Sequence, residues 1–102
     1  MTVRTHLSHW FEWGSMIYPR FAIPKGPDDL NGALKLHDEV VRAAALAAIE
    51  AGGIINDHHG VGMRLAPYLE QQLGAAGMML LRQIKGGLDQ NQVLCPGKLA
   101  MC

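Results

Sequence analysis

Asp57-His58-His59-Gly60-Val61-Gly62 is the stretch of this 102-residue chain where acid, imidazole and glycine stand side by side. Imidazoles titrate near neutral pH, so two in succession suit proton transfer or the holding of an anion. Glycines at 60 and 62 let backbone N–H groups approach a ligand closely, and a helix starting near Arg64 would add its positive end. His58 and His59 are thus the candidate acid–base groups, and Gly60, Gly62 and Arg64 the candidate ligand contacts. A loop that merely carries two histidines is the competing reading, since a short motif match is only a hypothesis.

The elements that must position this stretch follow from pattern. Aromatic and β-branched residues from Thr5 to Ile23, broken at Trp13-Gly14-Ser15, predict a hairpin with strands near 6–12 and 16–23. Pro19 cannot donate to a central ladder, so the second strand is either an edge or bulged. His6 and His9 would point to opposite faces of a strand, which makes them poor ligands for one metal. After the Pro24–Pro27 turn, Asp28 or Asp29 caps a helix predicted to run to Ala51. Its stripe of Leu30, Leu34, Val41, Ala44 and Ala48 suits a helix lying on a sheet. His37 falls on that stripe, where a hydrogen-bonded core histidine is expected. Gly52 stops the helix, and residues 53–56 are expected to form a short buried strand. Pro67 fits the first turn of a short helix that ends before Gly74. A last helix follows over 75–88, with Leu81, Ile84 and Leu88 on one face and Met78 and Met79 as core filler.

Composition bounds the function classes. Nine basic residues balance nine acidic ones, so no long-range field favours nucleic acid or an anionic membrane. No apolar run approaches a membrane span, and the N-terminus lacks a signal-peptide pattern. Cys95 and Cys102 could close only a tiny terminal loop, so two free thiols in a reducing, cytoplasmic setting are expected. Six methionines, many alanines and only 18% charged residues suggest apolar surface meant for a partner.

The order of parts resembles the C-terminal end of FAD-linked oxidases of the vanillyl-alcohol-oxidase type, over about residues 6–99. The residues that carry the likeness are the Gly52-Gly53 stop, Asp57 to Gly62, Ile84-Lys85, Leu88-Asp89 and Cys95-Pro96-Gly97-Lys98-Leu99. A histidine run before Gly-Val-Gly is most similar to the alkyldihydroxyacetonephosphate synthase branch. Glycolate oxidase and D-lactate dehydrogenase relatives usually show Glu-His-Gly there. The resemblance implies that His58 and His59 match the second and third of three family histidines, with Asp57 in place of the first. It also implies that Tyr18 matches an acid–base tyrosine, although Pro19, Arg20 and Cys95 depart from the family pattern. The implied reaction exchanges an acyl for an alkyl group on dihydroxyacetone phosphate through a flavin adduct. The histidines would then move protons, and Arg64 with the Gly60–Gly62 amides would suit the phosphate. The other branch would oxidise a 2-hydroxy acid, whose carboxylate would need Arg20 or Arg64.

These readings give an α+β chain of one domain, 1–102: a hairpin plus one strand in a small antiparallel or mixed sheet, covered by a long helix, with two C-terminal helices. By resemblance it is half of a ferredoxin-like cap domain. FAD is the cofactor of the parent family. The isolated chain is expected to bind none and to be inactive alone, its flavin domain being absent; a separate flavin-binding chain is one candidate partner. Open strand edges point to a homo-oligomer, most simply a two-fold dimer. A non-catalytic oligomerising module is the reading from a different class.

Overall fold

The computed structural model describes residues 1–101 and resolves them into two compact units, Met1–Val40 and the residues from Val41 on. Cys102 lies outside the described residues. The class is α+β, as the sequence indicates, with one two-stranded antiparallel sheet and two long helices.

The first unit carries strands β1 (Thr2–Phe11) and β2 (Gly14–Ala22). β1 starts four residues earlier than predicted because the ladder runs out to Thr2↔Ala22, while β2 gains Gly14 and Ser15 at the turn and ends one residue short of Ile23. The turn is Glu12-Trp13, one residue earlier than expected. Phe11 and Trp13 stack beside it, their centroids 4.9 Å apart and their planes 6° from parallel. A single irregularity falls at His9, between Ser8 and Trp10, where φ is 50°. Pro19 pairs with Thr5 in an uninterrupted stretch of ladder. Lacking an N–H, it can occupy only a pair whose polar groups point outward, so Thr5↔Pro19 is a non-hydrogen-bonded pair. Val3, Thr5 and Leu7 therefore turn their backbone groups to the outer edge of β1, and Ile17, Pro19 and Phe21 turn theirs to the outer edge of β2. The proline marks an edge strand, and the irregularity lies on the other strand.

The same register sorts the side chains. Val3, Thr5, Leu7, Ile17, Pro19 and Phe21 share one face; Arg4, His6, Tyr18 and Arg20 share the other. The apolar face is open, with Val3 and Leu7 each 49% and Ile17 66% exposed, where the sequence reading expects a helix to cover it.

Helix α1 spans Leu30–Glu50. Asp29 caps it, its Oδ1 accepting the Gly32 N–H at 2.8 Å. Gly32 is needed there, since a Cβ would sit 2.7 Å from Asp29 Oδ2 and 2.8 Å from Pro27 Cβ. The C-terminal stop is a Schellman closure: Gly53 N–H donates to the Ala48 carbonyl (2.8 Å) and Gly52 N–H to that of Ile49 (2.9 Å), with Gly52 at φ 77°. Burial shifts along the helix, Leu30 and Leu34 being exposed while Ala45 is buried. His37 is correspondingly not a core residue; it is exposed and bonds Asp38 at 3.0 Å.

Residues 53–56 form no strand, which corrects the sequence reading. Their backbone bonds to a side chain instead: Gln72 Nε2 donates to the Gly53 carbonyl (3.1 Å), and Ile55 N–H donates to Gln72 Oε1 (2.9 Å). One carboxamide thus supplies the donor and acceptor that a neighbouring strand would have offered.

Helix α2 spans Ala66–Leu88 with Pro67 in its first turn, and Gly74 (φ 70°, ψ 169°) breaks its regularity. The two helices read from the sequence are these two segments, joined at a kink. Leu65, Ala66, Leu69, Met78 and Met101 are buried, and Met78 is fully so. Met79, Ile84 and Leu88 are exposed instead of lining the inner face. That face carries Lys85 and Asp89. The buried Asp89 carboxylate accepts from the Lys85 ammonium and from the N–H groups of Val93 and Leu94, both at 2.9 Å, while Lys85 also donates to the Leu94 carbonyl. The tail after the helix needs acceptors for its amides, and that demand overrides the apolar register. Beyond it, the turn Lys98–Ala100 is tied back by Leu99 N–H to the Gly62 carbonyl (3.0 Å).

Two predictions follow from these contacts. Gln72→Leu should cost about 1–2 kcal/mol by removing two hydrogen bonds and should speed exchange of the Ile55 amide well beyond that of the α2 core; urea unfolding and hydrogen exchange measure both. The Lys85 hydrogen bond, aided by the Leu94 and Val93 amides and opposed by burial, holds the Asp89 pKa below its ordinary 3.8. A carboxylate with a depressed folded-state pKa stabilises the fold above its unfolded pKa, and that contribution is lost as pH falls through the folded value. Asp89→Asn should therefore lower the urea midpoint at neutral pH, and its deficit relative to the parent should shrink as pH drops below 3.8.

Candidate functional site

The segment carrying the candidate acid–base groups begins where α1 is stopped and ends where α2 starts. Its N-terminal part is braced by Gln72. Its C-terminal part is held through carbonyls: Val61 accepts from Leu65 N–H (3.2 Å) and Gly62 from Leu99 N–H (3.0 Å). Gly60 (φ 80°) and Gly62 (φ 57°) take left-handed conformations that side chains with a Cβ rarely adopt. The glycines thus let the chain reverse directly after the histidines.

Between these supports Asp57, His58 and His59 come together. Asp57 Oδ2 lies 3.1 Å from His58 Nδ1. The rings of His58 and His59 meet edge to face, with centroids 4.3 Å apart and planes at 68°. All three residues are exposed, so the imidazoles face a solvent-accessible surface. The carboxylate bonded to Nδ1 selects the tautomer in which that nitrogen carries the hydrogen and Nε2 carries the lone pair. His58 is thus held between the Asp57 carboxylate and the His59 ring.

Arg64 is exposed, two residues before the buried first turn of α2. Tyr18 stands on β2 in the first unit, paired with His6 on the polar face of the hairpin. Of the two residues that fix the histidine loop, Leu99 belongs to the tail motif that the sequence shows, whereas nothing in the sequence reading singles out Gln72. The usable signal for Gln72 was a polar residue three positions after the core residue Leu69, on the same helix face. Nothing in the sequence marked the Leu99 amide.

Among the described residues, a depression of ≈ 280 Å³ is lined by Arg82, Lys85 and Asp89.

Residues 5–99 match the family model for FAD linked oxidases, C-terminal domain. The chain is 29% identical over 94 residues to alkyldihydroxyacetonephosphate synthase of Trypanosoma brucei brucei, covering 92% of this chain and 15% of that protein. It is 44% identical over 52 residues to glycolate oxidase subunit GlcD of Bacillus subtilis, covering 51% of this chain and 11% of that one. A mitochondrial D-lactate dehydrogenase [cytochrome] of Arabidopsis thaliana is 38% identical over 53 residues, 52% of this chain and 9% of the relative. The chain thus spans less than a sixth of each of these relatives. No solved structure matches. With nearly its whole length inside the match, the chain belongs to the FAD-linked oxidase family and corresponds to that family's C-terminal domain.

Proposed function

We propose that this chain is the substrate-facing cap domain of an alkyldihydroxyacetonephosphate synthase-like flavoenzyme, in which His58, His59 and Tyr18 handle protons. The observation that carries the reading is the Asp57–His58–His59 constellation, a carboxylate-oriented imidazole in ring contact with a second one. The likeness to the synthase over 92% of the chain supports that branch. His58, oriented through Nδ1, would take a proton from carbon or oxygen of the substrate, and His59 would relay or return it. Tyr18 would serve as a phenolic donor, and Arg64 beside Gly60 and Gly62 as an anion contact. Flavin supplies the electron-accepting chemistry in the family, and another polypeptide segment holds it. Alone, the chain turns nothing over.

A second reading is carried by the 44% identity to the glycolate oxidase subunit. There the same histidines would remove the hydroxyl proton of a 2-hydroxy acid as hydride leaves. The two readings separate on substrate. In the flavin-containing enzyme, His58→Gln or His59→Gln should lower turnover of the phosphorylated substrate by about 10²–10⁴-fold with KM little changed. Turnover of glycolate, and none of the phosphate ester, would give the second reading. The purified chain should show no visible flavin absorbance.

We also infer that the chain self-associates through β1. The apolar face of the hairpin is open, and Pro19 removes a donor from the β2 edge, which leaves β1 as the edge able to add a strand. Antiparallel two-fold pairing about Thr5 would set Val3 opposite Leu7 of a second copy and bond all three outward positions. Thr5→Pro would block that edge as Pro19 blocks the other, and the hairpin would keep its ladder because Thr5 donates nothing across it. Sedimentation at micromolar concentration should show a dimer for the native chain and a monomer for T5P; a native monomer would defeat the assembly.

A further inference from the structure

The hairpin register places Arg4 directly opposite Arg20 and His6 directly opposite Tyr18 on one face of the sheet. Because Thr5↔Pro19 is a non-hydrogen-bonded pair, Arg4↔Arg20 is a hydrogen-bonded one, with Cα atoms about 5.5 Å apart. Like charges directly opposite destabilise a ladder, so this pairing works against the hairpin that carries it. Glu12 is the one carboxylate between Met1 and Pro27, and it lies in the turn, eight residues beyond Arg4, roughly 25 Å along the strand. Neither arginine takes part in the ion pairs His37–Asp38, His58–Asp57 and Lys85–Asp89. Both arginines are exposed.

We propose that Arg4 and Arg20, with His6 and Tyr18 beside them, form a binding site for a phosphate monoester dianion. Two guanidinium forks on adjacent strands present paired N–H donors at a spacing that one tetrahedral anion can bridge, the two forks sharing its three terminal oxygens. Their combined charge of two matches the dianion, whereas a monoanionic carboxylate would leave one guanidinium uncompensated. The imidazole and the phenol, one step along the same face, add further hydrogen-bonding groups for these oxygens or for a hydroxyl next to the phosphate. The site deepens the synthase-like reading and rests on it. It assigns the phosphate to the hairpin and not to Arg64 with the Gly60–Gly62 turn. It also assigns the substrate class to the phosphate esters and not to the hydroxy acids.

The test uses the full chain, with backbone amides and arginine Nε–H groups followed by NMR. Inorganic phosphate and glycerol phosphate are titrated against glycolate at matched ionic strength. The phosphates should give saturable shifts at Arg4, Arg20 and the amides of His6 and Tyr18, and glycolate should bind at least tenfold more weakly. Arg4→Gln and Arg20→Gln should each weaken phosphate binding tenfold or more. In phosphate-free buffer the same variants should melt no lower than the parent, since each relieves the like-charge pair; a merely structural arginine would not give loss of binding with retained stability. Arg4→Lys, which keeps the charge and loses the fork, should fall between. Equal, non-saturating responses to phosphate and glycolate, or R4Q and R20Q binding within twofold of the parent, would overturn the site. Saturable shifts confined to Arg64 and the Gly60–Gly62 amides would overturn it while leaving a phosphorylated substrate in place. Saturable glycolate binding at His58 and His59 with no phosphate response would overturn both.

Discussion

The loop that bears Asp57, His58 and His59 belongs to no sheet, and its backbone polar groups must still be satisfied. That constraint organises the second unit. Gln72 answers it from α2, offering one carboxamide to Gly53 and Ile55 in place of a peptide. Leu99 answers it from the tail by donating to Gly62. The first support needs α2 to stand at a fixed distance from the end of α1, and the second needs the tail to return. The core of Leu65, Ala66, Leu69 and Met78 secures the first of these. A loop fixed at both ends by hydrogen bonds keeps two imidazoles in ring contact while leaving them exposed.

The return of the tail depends on a buried charge. Asp89 ends α2, and its carboxylate gathers the Val93 and Leu94 amides and the Lys85 ammonium, so the chain reverses within a few residues of the helix end. A single residue thus closes the helix, neutralises a lysine and starts the segment that reaches Gly62. Burying a carboxylate is unfavourable unless it is paired and fully hydrogen-bonded, and here its acceptor capacity is taken up by three donors. The left-handed backbone at Gln92, Cys95, Leu99 and Ala100 shows that this tail follows the demands of its contacts and not its own local preferences.

The hairpin of the first unit is governed by one proline. Pro19 fixes which pairs of the ladder are hydrogen-bonded, and from that choice follow the orientation of each edge, the composition of each face and the alignment of Arg4 with Arg20. One face is apolar and open; the other collects two guanidiniums, an imidazole and a phenol. A surface of this kind is better suited to meeting a ligand and another chain than to standing alone.

The sequence by itself determined the elements whose signals are local. The hairpin, the Asp29 cap, the Gly52 stop, Pro67 in the first turn and the break at Gly74 are each set by one residue's backbone chemistry, and each is where the residues indicate. It also determined the family, because the histidine–glycine run and the tail motif are contiguous strings. What only the tertiary structure decided is where long-range partners were needed. Residues 53–56 have the apolar character of a strand, but pairing is a property of two segments, and the partner here is a side chain nineteen residues away. The inner face of α2 was misread for the same reason: Ile84 and Leu88 satisfy the helical period, yet the tail's amides required an acceptor and drew Asp89 and Lys85 inward. The opposition of Arg4 and Arg20 depends on a register that no single strand encodes, since it emerges only when the turn closes at Glu12-Trp13 and the proline selects the pairing.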